Sequence, residues 1–444
     1  MPSVSIVSLG CAKNLVDSEV MLAKLGVAGW TLEADDARAD AVIVNTCAFI
    51  DPAKAESTER ILEQAQRKRR GQRLIVAGCL AQRYGEQLRE LIPEIDGVVG
   101  TGAYSAIAEI LQEARDGLHP LRTDLIAEPE HDFLPRLVTT PRATAYLKIA
   151  EGCDHPCTFC IIPTLRGAFR SRSEESILAE ARALVQGGAK ELILIAQDTS
   201  MWGRDRGIRR GGLAQLLERL HGIEALEWIR LLYLYPATVD SELIDAIARL
   251  PKVCKYMDMP LQHAHPEVLR AMRRPSNGER YLNILQEFRR KIPGVTMRST
   301  FIVGFPGERE EHVEYLEAWL AQAELDRVGF FEYSAEEGTP AATLDDAVPA
   351  RERRRRLLRL REAQRHASER SRARRAGSVV RVLTEERRTR GWYGRSQGEA
   401  PGVDGGILFT GKASVGEFVS VAIDGYDAFD FHGRAEREEV AKVG

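Results

Sequence analysis

The chain has 444 residues, 44% of them hydrophobic, which is enough for about three domains with ordinary buried cores. Its net charge of −3, from 62 Lys and Arg against 65 Asp and Glu, lacks the overall basic excess that is typical of nucleic-acid-binding proteins. The sequence also lacks a secretory signal pattern and any apolar run near the roughly 20 residues that span a bilayer. We therefore expect a cytoplasmic protein with no membrane partner.

Residues 1–117 form the first predicted domain, in which short apolar strands alternate with helices. The predicted strands are Val4–Ser8, Ala41–Val44 and Leu74–Ala77, and the predicted helices are Leu15–Leu25, Ala53–Arg69 and Ala81–Ile92. Continuous apolar strands separated by helices indicate an open parallel α/β sheet that is covered on both faces. Low periodicity and prolines over 116–143 predict a linker, the prolines being Pro120, Pro129, Pro135 and Pro141.

Residues 139–370 form the second predicted domain, in which strand and helix alternate six times. The predicted strands are Ala145–Ile149, Glu191–Ala196, Trp228–Leu234, Tyr256–Met259, Met297–Val303 and Val328–Tyr333. This pattern predicts a full or partial (β/α)6 barrel of the TIM type, and catalytic groups in such barrels lie at the C-terminal ends of the strands. Residues 351–375 contain 12 Arg and 3 Glu, which favours a solvated helix, with an RNA-facing or ribosome-facing surface as the alternative.

The third predicted domain, residues 372–444, changes to short strands with glycine turns, such as Ser378–Leu383, Gly391–Ser396 and Phe418–Ile423. This pattern predicts a small antiparallel β-barrel. Residues 378–444 contain 9 Lys and Arg against 11 Asp and Glu, and they include a local acidic edge formed by Asp424, Asp427 and Asp430. Because contacts with phosphates require basic side chains, this barrel suits a basic protein partner better than RNA.

Three of the seven cysteines, Cys153, Cys157 and Cys160, follow the first predicted barrel strand with the spacing Cys-x3-Cys-x2-Cys. In a reducing compartment, clustered cysteines are more often metal ligands than disulfides. Three thiolates on one short loop can hold three irons of an iron–sulfur cubane and leave the fourth iron open, as a catalytic site requires. A structural zinc site is the alternative, but zinc usually takes a fourth ligand, and His155 lies too close to its neighbours to serve easily.

Three other cysteines, Cys11, Cys47 and Cys79, each lie at or near the C-terminal end of a predicted strand of the first domain. In an open parallel sheet these strand ends meet at the edge where ligands bind. The pattern therefore predicts a second set of three ligands without a fourth, while three buried structural cysteines are the alternative. Cys254 precedes an apolar strand alone, so we interpret it as a core residue.

The cysteine spacing resembles the signature of the radical S-adenosylmethionine superfamily, and two three-cysteine sets in this order resemble its methylthiotransferases. The resemblance covers nearly the whole chain, including a C-terminal barrel of the TRAM type. It is carried by Ser-Leu-Gly-Cys-Ala-Lys-Asn-Leu-Val-Asp-Ser-Glu (8–19), Tyr-Pro-Ala-Thr (235–238), Met-Asp-Met-Pro-Leu-Gln-His (257–263), Gly-Phe-Pro-Gly-Glu (304–308) and Phe-Asp-Phe-His-Gly (429–433). The motifs look like the branch that acts on ribosomal protein S twelve, since relatives that modify tRNA commonly have Gln-Met where this chain has Ala12-Lys13.

The resemblance implies two [4Fe–4S] clusters, one on each three-cysteine set, and a methylthio group added to the β-carbon of an aspartate. It further implies that S-adenosylmethionine binds the open iron of the barrel cluster and is cleaved to methionine and a 5′-deoxyadenosyl radical. The N-terminal cluster then presents sulfur, and a second S-adenosylmethionine supplies the methyl group. An electron donor such as flavodoxin or ferredoxin, a sulfur source and the small ribosomal subunit are the implied partners.

Several other residues are predicted to lie near S-adenosylmethionine. Phe159 is predicted to contact the adenine, with core packing as the alternative. Gln197 or Asp198, at the end of the second barrel strand, is predicted to contact the amine, with a turn cap as the alternative. Gly304 and Gly307 allow close approach of backbone to a ligand, or form a plain strand–helix turn. Gln262 and His263 are weaker candidates for the same pocket.

The target carboxylate requires a cation if it is buried in a site that excludes water. We expect Lys13, Arg166 or Arg170 to hold it, whereas the alternative is that these cations pair with Glu174, Glu175 or solvent. Two other functions are kept as alternatives to modification of the ribosomal protein. One is the same chemistry on adenosine in tRNA, and the other is a non-catalytic iron–sulfur electron carrier or sensor.

Overall fold

The structure is a computed structural model that describes residues 1–124 and 135–436. These residues form an N-terminal α/β sheet, a central α/β unit and a C-terminal closed β-barrel. The middle of the predicted linker, including Pro129, lies outside the described residues. Within the two described ranges, no helix combines the length and the apolar character needed to cross a membrane.

The N-terminal unit is an open parallel sheet, as predicted, with the strand order β2-β1-β3-β4-β5-β6. Its strands are β1 (Ser3–Ser8), β2 (Thr31–Leu32), β3 (Ala41–Thr46), β4 (Arg73–Gly78), β5 (Gly97–Val99) and β6 (Leu121–Arg122). Its helices are α1 (Ala12–Val27), α2 (Asp51–Arg67), α3 (Cys79–Leu91) and α4 (Ile107–Arg115). Strand β3 is buried along its whole length, which is why its sequence is a continuous apolar run. The sheet continues to β6, four residues beyond the domain boundary predicted at 117.

The central unit contains all six predicted barrel strands in two parallel sheets, ordered β11-β10-β7 and β12-β13-β14. A bridge between Ile229 and Val253 connects the two sheets, so together they form a partial barrel. The strands of the unit are β7 (Thr144–Lys148), β8 (Ala150–Glu151), β9 (Arg170–Ser171), β10 (Glu191–Ile195), β11 (Trp228–Leu231), β12 (Tyr256–Asp258), β13 (Thr296–Val303) and β14 (Arg327–Glu332). Its helices are α5 (Ile162–Arg166), α6 (Glu174–Gln186), α7 (Gly212–His221), α8 (Ser241–Arg249), α9 (Pro266–Ala271), α10 (Gly278–Lys291), α11 (Glu310–Ala323) and α12 (Ala350–Arg375).

Helix α12 contains the Arg-rich stretch and packs against α11 and β14. Leu357 and Leu360 are buried in the barrel core, so one face of the helix is not solvated. On the outer face, Arg359 pairs with carboxylates of α11, Glu310 at 2.6 Å and Glu317 at 2.5 Å. The solvated-helix interpretation therefore holds for the outer face only, and part of the positive charge is neutralised within the chain.

The C-terminal unit is a closed five-stranded barrel with the order β15-β16-β17-β19-β18. Its strands are β15 (Val379–Arg388), β16 (Gly391–Arg395), β17 (Ile407–Thr410), β18 (Phe418–Tyr426) and β19 (Phe431–Ala435). Four strand pairs are antiparallel and β17 and β19 are parallel, so the predicted small antiparallel β-barrel is confirmed and contains one parallel pair. The reason is topological, because a closed ring with an odd number of strands cannot alternate in direction throughout.

The C-terminal barrel docks on the N-terminal ends of the central strands, opposite the ends where catalytic groups are expected. Glu191 at the start of β10 pairs with Arg230 at 2.8 Å and with Arg395 of the C-terminal barrel at 2.5 Å. All three side chains are almost completely buried. Nearby, the ring of Trp228 packs edge-on against Phe418 with centroids 4.6 Å apart. This contact fixes the C-terminal barrel to the central unit and leaves the other end of the strands to the N-terminal unit.

Candidate active site between the N-terminal and central units

Cys153, Cys157 and Cys160 lie on the loop between β8 and α5, directly after the first barrel strand. The backbone at Gly152 has a φ of +81°, and a Cβ atom there would lie 2.0 Å from the carbonyl oxygen of Ala168. The chain can therefore turn into the loop only with glycine at this position. Burial raises the pKa of the Cys153 thiol to about 11 and that of Cys160 to about 12.

Two side chains from other parts of the central unit, Tyr235 and Arg274, pack against this loop. The ring of His155, on the loop, stacks on the ring of Tyr235 with centroids 3.6 Å apart. The guanidinium of Arg274 lies over the same Tyr235 ring, 4.2 Å from its centroid. Arg274 also reaches the sulfur of Cys157 at 3.8 Å. Arg274 thus places a fixed positive charge beside a sulfur of the cysteine loop.

Cys11, Cys47 and Cys79 meet at the C-terminal edge of the N-terminal sheet, as their positions after β1, β3 and β4 predict. Cys11 precedes α1 and Cys79 begins α3, so both lie at helix N-termini, and burial raises the pKa of the Cys79 thiol. The set is tightly packed, because a Cβ atom on Gly10 would lie 2.7 Å from the Cβ of Cys47. Burial, together with smaller effects of the neighbouring Cys79 and Cys11, raises the pKa of Cys47 to about 11.

The spacing of the sulfurs bears on the choice between zinc and an iron–sulfur cubane. Tetrahedral zinc at about 2.3 Å from each thiolate would bring the sulfurs within about 3.8 Å of one another. Among the described residues, neither cysteine set belongs to a group of three ligand atoms that all lie within 4.8 Å of one another. Neither set therefore meets the spacing that tetrahedral zinc requires, whereas in a cubane each thiolate binds a different iron.

Among the described residues, three ligand atoms lie within 4.8 Å of one another in the group formed by His265, Glu267 and His312. The Nδ1 atoms of both histidines accept backbone N–H groups, from Glu267 and from Arg309, so the proton of each neutral ring lies on Nε2. His312 is thus placed to donate from Nε2 to the Glu267 carboxylate, which Arg309 also binds. The Nε2 of His312 and the Glu267 carboxylate thus satisfy one another, and the ring of His265 lies against that of His312 with centroids 4.2 Å apart.

Arg166 connects the two cysteine sets. It ends the short helix that follows Cys160, and its guanidinium lies 3.6 Å from the sulfur of Cys79. The same fully buried side chain binds Asp17 of α1 at 2.9 Å and Glu151 of β8 at 3.0 Å. One arginine thus holds the loop of the first cysteine set against a ligand of the second.

Lys148 completes this network at the junction of the two units. Its ammonium binds Asp17 at 2.6 Å and Glu151 at 3.0 Å. Burial opposes ionisation of Glu151, but Arg166 and Lys148 outweigh it and hold the pKa of that carboxyl well below its usual range. Two cations and two carboxylates therefore compensate one another inside the interface.

The two residues at the end of β10 have different surroundings. Asp198 is fully buried, caps the turn Thr199–Met201 through Ser200, and binds His155 at 2.7 Å and Thr238 at 3.1 Å. These contacts match the turn-cap alternative and leave its carboxylate no free acceptor for a ligand. Gln197 donates to Glu151 at 2.7 Å, whereas its buried Oε1 has no hydrogen-bond partner among the described residues. A ligand that donates hydrogen bonds would satisfy this atom.

Of three other predicted positions, Phe159 and Gly304 are occupied by protein contacts and Gly307 is not. Phe159 is partly buried against a cluster that contains Phe305 and Tyr333, in line with the core-packing alternative. A Cβ atom on Gly304 would lie 2.2 Å from Arg353 of α12, so the close approach at this glycine is to protein rather than to a ligand. Gly307 adopts a φ of +78° in the turn that follows, with open space around its Cα.

Gln262 and His263 follow β12 at the same end of the barrel. Gln262 adopts a φ of +71°, a conformation that is rare for residues other than glycine and often marks a functional site. His263 is completely buried, and its Nε2 lies 3.6 Å from a carboxylate oxygen of Glu308. Tyr233, after β11, has a φ of +63° and so adds a second strained residue at the mouth of the barrel.

The comparisons with known proteins agree with this organisation. Residues 3–100 match an uncharacterised protein family, UPF0004, residues 147–320 match the radical SAM superfamily, and residues 376–435 match the TRAM domain. A protein of Desulforamulus reducens called ribosomal protein uS12 methylthiotransferase RimO is 48% identical, and the match covers 98% of this chain and 99% of that protein. The chain belongs to the RimO family. The RimO protein of Geobacter sulfurreducens is 46% identical over 97% of this chain and 98% of its own length.

RimO-family membership makes the chain a radical S-adenosylmethionine methylthiotransferase that uses [4Fe–4S] clusters. A solved structure of the radical S-adenosylmethionine methyltransferase TsrM from Kitasatospora setae, with cobalamin and a [4Fe–4S] cluster bound, has the same overall fold. The two chains are 16% identical, the TM-score is 0.58, and the match covers 77% of each chain. At this identity the likeness concerns the fold alone.

Four residues that shape the site were not among the site residues predicted from the sequence. Tyr235 and Arg274 come to the cysteine loop from positions far along the chain, and Asp17 and Lys148 have ordinary positions on a helix and a strand. Tyr235 could have been found from its place in the Tyr-Pro-Ala-Thr motif. Arg274 follows the short helix α9 in an unremarkable stretch, so only the fold brings it to Cys157.

The two cysteine sets predict the iron content of the protein. After anaerobic reconstitution we expect about eight iron atoms per chain, and about four when either set of three cysteines is replaced by alanine. Cys254 is buried in the core, as the sequence indicates, so Cys254→Ala serves as the control and should retain both clusters. Iron and sulfide analysis measures this result. A value near zero for either triple variant that remains folded would contradict two independent sites.

Proposed function

We propose that this chain transfers a methylthio group to the β-carbon of an aspartate in ribosomal protein uS12. The observation that carries the proposal is the contact of Arg166 with Cys79, which joins the radical loop to the N-terminal cysteine set. A site that generates a substrate radical and a site that delivers sulfur must act on the same carbon, so they must lie at one junction. The RimO relatives are named for the same protein substrate.

Within this proposal, each cysteine set holds one cluster, and Gln197 is the candidate contact for the amine of S-adenosylmethionine. When bound, the clusters and S-adenosylmethionine supply the radical, the sulfur and the methyl group. The chain's own residues orient these groups: Arg274 and Arg166 lie against ligand sulfurs, and Gln197 offers an unpartnered acceptor to a donor. We assign Asp198 a positioning role, because its carboxylate holds His155 within the cysteine loop.

Neither the electron nor the sulfur comes from S-adenosylmethionine, so the proposed reaction requires two further partners. These are a one-electron donor, such as flavodoxin or ferredoxin, and a sulfur source that restores the N-terminal cluster. Because the substrate belongs to the small ribosomal subunit, we place the reaction in the cytoplasm.

Mass spectrometry of a deletion strain tests the proposal. Ribosomal protein uS12 should lose a mass that corresponds to one methylthio group, and a plasmid that carries the gene should restore it. Methylthiolated adenosine in tRNA should be unchanged. If tRNA loses the modification and uS12 does not, the alternative function in tRNA modification is correct.

A surface of the C-terminal barrel fits a basic partner. Phe429, in the turn between β18 and β19, is 73% exposed, and Tyr426, at the end of β18, is 38% exposed, beside the acidic edge. Asp427 uses one carboxylate oxygen to bind the backbone of Phe429 and Asp430, so it also shapes the turn. Exposed aromatic rings with carboxylates around them suit a protein that carries Lys and Arg.

We expect the double variant Phe429→Ala and Asp424→Asn to raise the KM for ribosomal protein uS12 by roughly three- to tenfold. Formation of 5′-deoxyadenosine without the ribosomal protein should not change, because this turn lies far from the cysteine sets. Val415→Ala is the matched control, since Val415 is 57% exposed in another turn of the same barrel. Steady-state kinetics with the purified substrate measure the effect, and an unchanged KM would exclude this surface from substrate binding.

A further inference from the structure

Lys13 is a buried cation at the junction of the two units. It lies in the first turn of α1 with 8% of its surface exposed. Its Nζ donates to the backbone carbonyl of Ala196 at 3.3 Å and lies 3.5 Å from the centroid of the Tyr233 ring. An ammonium group has three donors, and the described residues offer this one a single hydrogen-bond acceptor.

The other cations at this junction are paired, whereas Lys13 is not. Lys148 and Arg166 each bind both Asp17 and Glu151, so two positive charges are balanced by two carboxylates. Among the described residues, no carboxylate oxygen lies within 4.0 Å of the Nζ of Lys13. A buried ammonium without a counter-ion is costly, and a bound anion would remove that cost.

The position of Lys13 connects both halves of the site. It follows Cys11 by two residues, and Ala196 and Tyr233 lie just beyond the C-terminal ends of β10 and β11. Its ammonium therefore lies between the N-terminal cysteine set and the mouth of the barrel. The backbone of Tyr233 adopts a strained conformation with a positive φ, and the face of its ring lies under the ammonium of Lys13.

We propose that the Nζ of Lys13 binds the side-chain carboxylate of the target residue and so selects an aspartate. This inference rests on the proposed transfer to an aspartate of ribosomal protein uS12. Arg166 is unsuited to this task, because its donors already bind Asp17, Glu151 and Asn14. Lys13 keeps a donor free at the place where a carboxylate must enter.

A double-mutant cycle between enzyme and substrate tests this assignment. The dissociation constant is measured anaerobically for wild type and Lys13→Met, each with ribosomal protein uS12 that carries either aspartate or asparagine at the target position. For wild type we expect the asparagine substrate to bind about a hundredfold more weakly. Lys13→Met should bind the aspartate substrate about a hundredfold more weakly and should no longer distinguish the two substrates.

Controls separate this role from others. Lys24→Met, on the same helix, should behave as wild type. If Lys13→Met loses iron, the measurement is made with Lys13→Gln instead, for which we expect the same weakening and the same loss of preference. A Lys13 variant that still prefers aspartate a hundredfold would overturn the inference. Equal weakening of both substrates, together with a shifted redox potential of the N-terminal cluster, would instead assign Lys13 to charge balance of the cluster. If wild type neither binds nor modifies uS12, the proposed function itself fails.

Discussion

Replacing Cys11, Cys47 and Cys79 together by alanine is expected to abolish methylthio transfer while S-adenosylmethionine is still cleaved to 5′-deoxyadenosine. The radical loop has its own supports, which include Arg274 against Cys157 and the stack of His155 on Tyr235. None of these contacts involves the N-terminal unit. Losing the N-terminal set should therefore remove the sulfur-delivering site and leave the radical site intact.

The measurement is chromatography of 5′-deoxyadenosine alongside mass spectrometry of ribosomal protein uS12. The control is Cys254→Ala, which removes a buried thiol outside both sets and should leave both products unchanged. Arg166 should keep its bonds to Asp17 and Glu151 in the triple variant, so the junction of the two units should hold. Loss of 5′-deoxyadenosine from a variant that retains about four irons would show that the N-terminal set does more than deliver sulfur.

Much of the fold could be predicted because its elements follow strong periodic signals. The six central strands and the three long strands of the N-terminal sheet are rich in apolar residues, and the sequence predicts each within a few residues of its observed position. Strands β2, β5 and β6 have only two or three residues each, too few for any periodicity to show. They exist because neighbouring strands pair with them, which is information that a single sequence does not contain.

The cysteines were predictable for a related reason. Cys47 and Cys79 follow strands that the sequence reveals, and parallel strands end at a common edge, so the sequence indicates that the two converge. The partners of the cations were not predictable in this way. Arg166 was expected to hold the substrate or to pair with neighbours such as Glu174, but it binds Asp17, which is 149 residues away. Only the packing of α1 against the barrel creates that pair.

The buried ion pairs that attach the C-terminal barrel should dominate the stability of that interface. Glu191 lies between Arg230 and Arg395 with no exposed surface. Replacing it by glutamine keeps the shape but leaves Arg230 without a counter-ion and Arg395 with Glu385 alone, so Glu191→Gln should lower the free energy of unfolding by about 3–5 kcal/mol. Glu227→Gln is the matched control, because its pair with Arg381 joins the same two units but is 42% and 48% exposed. We expect Glu227→Gln to lower the free energy of unfolding by less than about 1 kcal/mol.

The pKa of Glu191 predicts how its contribution to the free energy of unfolding changes with pH. Burial alone would raise the pKa of Glu191, but Arg395 and Arg230 outweigh it and hold the value at about 2, below the ordinary 4.5. The charged form is thus favoured by folding, so its stabilisation is complete above about pH 4.5 and is lost as the pH falls through about 2. Protonated glutamate resembles glutamine, and the wild type and Glu191→Gln should therefore converge in stability across this window.

Urea unfolding at several pH values, followed by tryptophan fluorescence, measures the gap in free energy of unfolding between the two proteins, because Trp228 packs against Phe418 at this interface. A gap that stays constant down to pH 2 would mean that the charge of Glu191 is not what holds the barrel in place.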